Sequence, residues 1–228
     1  VERLREDKDT LSINFSIQDG VLELESYDAD IPKEADKYEE YYAAARKAGL
    51  DIGAYIFTYV DNTDDLIDRT KEILSSLKGK TFEYPIYLDI EPNEDSDIEE
   101  LLRQTDLVLL DCKQFNPERH EALTGRSNSQ TLKTAEWLEK NGRPFWMRYV
   151  LVPGISDFEE DIRALGEHFK DYRMLQRVEI LPYHTLGIHK YESLGQEYKL
   201  KDTSLNTPEQ LDRAKALFDG YFDCVVMN

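Results

Sequence analysis

Four short apolar runs of this chain lead into, or enclose, groups that could do chemistry. Tyr84 to Leu88 leads into Asp89 and Glu91, and Leu107 to Leu110 leads into Asp111 and Lys113. Arg148 stands inside the run Phe145 to Val150, and the run ending at Tyr183 leads into His184. Residues two apart on a strand project to one face, so Asp89 and Glu91 point together. A pair of carboxylates supplies the acid and the second carboxylate that glycoside hydrolysis needs. Asp111 and Lys113 share a face by the same rule and, with Arg148 and His184, make a second polar group of mixed sign. The two cysteines, Cys112 and Cys224, form neither a CxxC nor a metal-ligand spacing. They read as buried small hydrophobes, and no metal site is expected.

These groups meet only if the elements carrying them run side by side in one direction. Ile13, Phe15 and Ile17 alternate, turn at Asp19-Gly20 and continue as Val21, Leu22 and Leu24, which predicts a β-hairpin over 11–25. Strands follow at 52–59, 84–90, 106–111, 145–152, 178–181 and 222–227. Between them the spacing predicts helices at 32–47, 62–77, 96–103, 128–140, 157–169 and 207–218. Gly49 ends the first helix, Asp157 caps the fifth, and Thr207-Pro208 opens the last. Tyr38, Tyr41 and Tyr42 form a packing stripe. Alternating β and α units of this length imply a parallel sheet with helices outside, as a closed barrel or an open doubly wound sheet. In a barrel the polar groups would all lie on the rim formed by the C-terminal ends of the strands.

Length and charge narrow the function. A chain of 228 residues suits one domain, residues 1–228. A net charge of −19 opposes nucleic acid and anionic membrane surfaces as partners. No apolar run approaches the roughly 18 residues of a membrane span, and the opening VERLREDKDT is unlike a signal peptide. Reduced thiols fit a cytoplasmic monomer whose ligand would be a small molecule or a glycan at the rim.

Two regions carry resemblances. Residues 38–91, through AGLDIGAY to YPIYLDIE, resemble the β-1,4-N-acetylmuramidase (Chalaropsis-type lysozyme) glycoside hydrolases. That resemblance gives Glu91 the role of general acid and Asp89 that of the neighbouring carboxylate. Residues 98–228, through TDLVLLDCK, RPFWMRYVLVPGISD and RVEILPYHTLGIHKY, resemble the C-terminal half of the glycyl-radical activases, the radical S-adenosylmethionine family that includes pyruvate formate-lyase activating enzyme. It implies that Asp111, Lys113, Arg148 and His184 surround S-adenosylmethionine. Together the two imply a TIM-like (βα) barrel of six to eight mostly parallel strands, with a join near residue 92. The activases hold a 4Fe-4S cluster on three closely spaced cysteines, which two distant cysteines do not provide. The expectation is therefore a designed or recombined barrel scaffold with no cofactor, no iron–sulfur cluster and no evolved activity. The alternatives are a residual peptidoglycan hydrolase and a binder of a nucleoside-like ligand such as S-adenosylmethionine.

Overall fold

The structure, a computed structural model, describes residues 14–18, 21–25, 31–60, 71, 75–92, 98–186, 188, 195 and 197–227. The chain divides into two compact units, residues 1–101 and 102–228.

In the first unit β1 (Asn14–Gln18) and β2 (Val21–Glu25) pair antiparallel, with Gln18 opposite Val21. That register leaves the two residues of the expected Asp-Gly turn between them, and those two lie outside the described residues. Helix α1 (Ile31–Ala48) stops at Gly49, which takes a positive φ of 74° that a Cβ would oppose. Tyr42, on the predicted stripe, both accepts from Thr81 N at 2.8 Å and donates to Thr81 O at 3.1 Å. One turn later Arg46 bonds Glu83 at 2.7 Å, and the other Glu83 oxygen accepts from Ile52 N at 3.0 Å. Two helix residues thereby fasten the segment that enters the next strand. Strands β3 (Ala54–Val60) and β4 (Ile86–Pro92) pair in parallel, from Ala54 opposite Ile86 to Val60 opposite Pro92. Gly53 is required here, since a Cβ would stand 3.0 Å from Tyr84 Cβ and 3.1 Å from Pro85 O. The helix expected over 62–77 falls for the most part outside the described residues.

The second unit carries, after α2 (Glu99–Gln104), a regular βα rhythm: β5 (Val108–Asp111), α3 (Pro117–Thr124), α4 (Ser129–Lys140), β6 (Phe145–Leu151), α5 (Glu159–Phe169), β7 (Leu175–Pro182), α6 (Pro208–Asp219) and β8 (Val225–Met227). Its four strands lie in the order β5-β6-β7-β8, all parallel. This is an α/β fold with a parallel sheet. Among the described residues the sheet is open, with β5 and β8 as edges, where a closed barrel was expected: no pairing joins its first strand to its last. Its core is Phe145, Met147, Tyr149 and Leu151 of β6, Val178 and Ile180 of β7, and Leu138, Leu165 and Phe218 from the helices, all fully buried. Side chains of this size contribute roughly 1.5–3 kcal/mol each on burial.

Two local readings are corrected. Helix α3 was not expected, although Asn116-Pro117 announces it: Asn116 accepts from Arg119 N at 3.0 Å and Pro117 sits in the first turn. Asp157 does not cap α5, which begins after Phe158. Its carboxylate turns back to accept from Gly154 N at 2.6 Å, closing the Pro153-Gly154 turn in which Gly154 has a φ of 73°. The capping of α6 is as expected, with reciprocal bonds between Thr207 and Gln210.

Candidate functional site

The site is built on the β5–β6–β7 face that looks away from the buried apolar one. Alternation along β6 puts Trp146, Arg148 and Val150 there, each half-buried. Parallel register places Asp111 opposite Arg148. Arg148 Nε lies 3.0 Å from Asp111 Oδ1, yet this buried nitrogen has no hydrogen-bond acceptor, so the contact is an ion pair whose N–H direction misses the oxygen. Lys113 donates to the other oxygen, Asp111 Oδ2, at 3.3 Å. One carboxylate thus stands between two cations. All three side chains are at least about a third exposed (35%, 38% and 51%). At that exposure each ion pair is worth roughly 0–1 kcal/mol, so the grouping contributes little to stability while leaving polar atoms available at a strand end.

Beside it lies a second group that sequence reasoning missed. A register shift between Phe145 and Trp146 brings Arg177 opposite Trp146 and Glu179 opposite Arg148. Because one residue of slip moves a strand's side chains to the other face, this bulge puts Arg177 and Glu179 on the Arg148 side. The Arg177 guanidinium lies 3.8 Å above the Trp146 ring, and Arg177 pairs with the nearly buried Glu179 at 3.3 Å. A charged pair alternating with Val178 and Ile180 is the signal in the sequence that could have found it.

The other expected residues are His184 in this unit and Asp89 and Glu91 in the first. His184 follows β7, is exposed, and makes no ion pair or side-chain hydrogen bond to it among the described residues. Asp89 and Glu91 both lie on β4 of the first unit, in register with Phe57 and Tyr59. Asp89 is half-buried, and the side chain of Glu91 lies outside the described residues.

A family model described as the Radical SAM superfamily matches residues 25–166. The match covers more than half of the chain. The chain belongs to the Radical SAM superfamily. It is 47% identical over 119 residues to the pyruvate formate-lyase-activating enzyme of Streptococcus mutans, covering 52% of this chain and 45% of the relative. It is 44% identical over 124 residues to the pyruvate formate-lyase 1-activating enzyme of Escherichia coli, covering 54% and 50%. The chain therefore spans about half the length of the curated relatives it matches. The crystal structure of a radical SAM methyltransferase from Sphaerobacter thermophilus superposes over all of this chain and 76% of its own, with a TM-score of 0.52 and 11% identity. That likeness concerns the fold.

These findings correct the expected chimeric scaffold. The family match runs from residue 25 to residue 166, through position 92 and through the whole of 38–91, so the two sides of the supposed join belong to one superfamily. With it falls the reading of Glu91 and Asp89 as the acids of a residual peptidoglycan hydrolase. The expectation of no cofactor and no iron–sulfur cluster is overturned too, since radical SAM activases use such a cluster together with S-adenosylmethionine, and the relatives point to both. The residues present do not by themselves fit the cluster. The sequence contains two cysteines. Burial, with the Asp111 charge adding to it, pushes the Cys112 thiol up to about 12, away from the thiolate a metal ligand must be. Cys224 is half-buried at the entrance to β8. Among the described residues no three His, Cys, Asp or Glu side chains group as metal ligands.

Proposed function

We propose that this chain is the S-adenosylmethionine-handling part of a radical SAM activase of the pyruvate formate-lyase-activating kind, with the partial (βα) barrel of that family. The observation that carries the reading is the Asp111–Arg148–Lys113 cluster at the C-terminal end of β5, with Arg148 reaching it from β6; the C-terminal ends of parallel strands are where α/β sheets present their ligands. S-adenosylmethionine carries an ammonium, a sulfonium and a carboxylate. A site offering one carboxylate flanked by two cations matches both signs of such a ligand. Arg148 adds planar donors, one of them the buried Nε that lacks an acceptor. His184, beyond the end of β7, belongs to the same reading as a residue that a bound ligand would bring into contact. With a net charge of −19, a small zwitterionic molecule is a better partner than nucleic acid or an anionic membrane. Two unpaired thiols favour a reducing, cytoplasmic setting. The glycyl-radical enzyme that the activity would act upon belongs to the same proposal.

Calorimetric titration of the chain with S-adenosylmethionine tests this. Saturable binding is expected, weakened about tenfold or more by Arg148→Met through loss of a charge-assisted contact. Equal binding by both proteins, or none by either, rejects the reading.

A further inference from the structure

The pairing of β5 with β6 ends early, yet the residues just beyond it still alternate as a strand would. Cys112 N donates to Arg148 O at 2.9 Å, the last bond between the two backbones. Beyond it Lys113 is exposed and bonded to Asp111, while Cys112 and Gln114 are buried, Gln114 completely. An unpaired loop has no reason to keep this two-residue period. The Gln114 side chain supplies one. Its Nε2 donates to Ile155 O at 2.9 Å, in the turn after β6, and its Oε1 accepts from Asn116 N at 3.0 Å. The turn that receives it is itself fixed. Ser156 Oγ accepts from Val152 N at 2.8 Å and donates to Val150 O at 2.7 Å, and Ser156 O accepts from Tyr149 OH, also at 2.8 Å. On the other side Asn128 Nδ2 donates to Phe115 O at 2.7 Å. A buried primary amide with both donor and acceptor engaged at this spacing replaces the missing ladder bonds and ties the loop after β5 to the loop after β6.

We propose that Gln114 is a positioning residue for the strand-end cluster. By holding residue 114 on the helix side, it forces Lys113 onto the face of Asp111 and Arg148. The inference rests on the reading of that cluster as the S-adenosylmethionine site, but it makes a claim about the strand end that is measurable without ligand.

Two readouts on the intact chain test it, using Gln114→Met, which keeps the volume and removes both bonds, and Gln114→Glu, which keeps the acceptor, should the first variant fail to fold. The first is amide hydrogen exchange at Cys112, whose N–H bonds Arg148 and not Gln114. Faster exchange there, with exchange at Val178 and Ile180 unchanged, is expected. Unchanged exchange at Cys112 overturns the proposal, and so does acceleration spread evenly over the unit, which marks a merely structural residue. The second is S-adenosylmethionine affinity in a cycle with Lys113→Met. Gln114→Met should weaken binding about tenfold in the unsubstituted chain and add little once Lys113 is gone. Full, additive losses in both backgrounds overturn the proposal. Failure of the unsubstituted chain to bind S-adenosylmethionine would sink the ligand reading alone, and exchange at Cys112 would still decide the role of Gln114.

Discussion

The two faces of β6 do different work. On one, Phe145, Met147, Tyr149 and Leu151 are wholly withdrawn from water, and the single polar tip among them, Tyr149 OH, is satisfied by Ser156 O. On the other, Trp146, Arg148 and Val150 keep part of their surface, and Arg148 Nε is left without an acceptor. A strand whose alternation separates apolar from polar can hold a core and a ligand surface at once, because neighbouring side chains face opposite environments. Two arginine–aspartate pairs show the same contrast. Arg119 bonds the buried Asp161 at 2.5 Å and lies 4.0 Å over the Phe158 ring, tying α3 to the start of α5. Arg148 meets an Asp111 that is a third exposed, without a hydrogen bond from Nε. The first pair fixes elements together, and the second keeps donors available.

The largest effect should come from the apolar face. Phe145→Ala is expected to cost roughly 3–5 kcal/mol in denaturant unfolding, because it empties a fully enclosed volume. A loss below 1 kcal/mol would mean that the face is not the core it appears by burial. Asp161→Ala should come next, at about 1–3 kcal/mol from a lost charge-assisted bond on a buried carboxylate. Arg148→Met should cost no more than about 1 kcal/mol, since its ion pair is substantially exposed. If Arg148→Met destabilises more than Asp161→Ala, the contrast between the two pairs is wrong. The smallest and most specific effect concerns alkaline pH. The Cys112 thiol is raised from its ordinary 9.0 to about 12 by burial, so the folded chain keeps a proton that the unfolded chain gives up. The stability this group contributes is complete below pH 9 and declines as pH rises toward 12. Cys112→Ala should flatten that decline, and in the folded chain a thiol reagent should modify Cys224 well before Cys112. Equal rates at the two thiols would break the expectation.

Much of the local structure was legible. The Asp-Gly signal at 19–20 sits between two strands that pair, Gly49 ends α1, and Thr207-Pro208-Glu209-Gln210 opens α6 with reciprocal caps, because turns and caps depend on residues within a few positions of one another. Asp157 was misread because its carboxylate had two local partners within reach, the N–H groups of a helix start and that of Gly154, and the turn won. Family phrases in 98–228 pointed to the activases. The phrase in 38–91 misled: the family match runs through all of it, and Leu88-Asp89 lies inside β4 rather than at its end.

What the sequence determined by itself is therefore most of the order of strands and helices, the parallel character of the sheet, and the placement of Asp111 and Lys113 at the end of β5 and of Arg148 within β6. All of these follow from periodicity and chain direction. What only the tertiary structure decided is which residues face one another across strands. The bulge between Phe145 and Trp146 turns Arg177 and Glu179 onto the Arg148 face, and the amide of Gln114 finds Ile155 O 41 positions away in sequence. Neither is written in any local pattern, because register between strands is settled by the packing of whole faces, and a partner for a buried amide exists only once two distant loops have met.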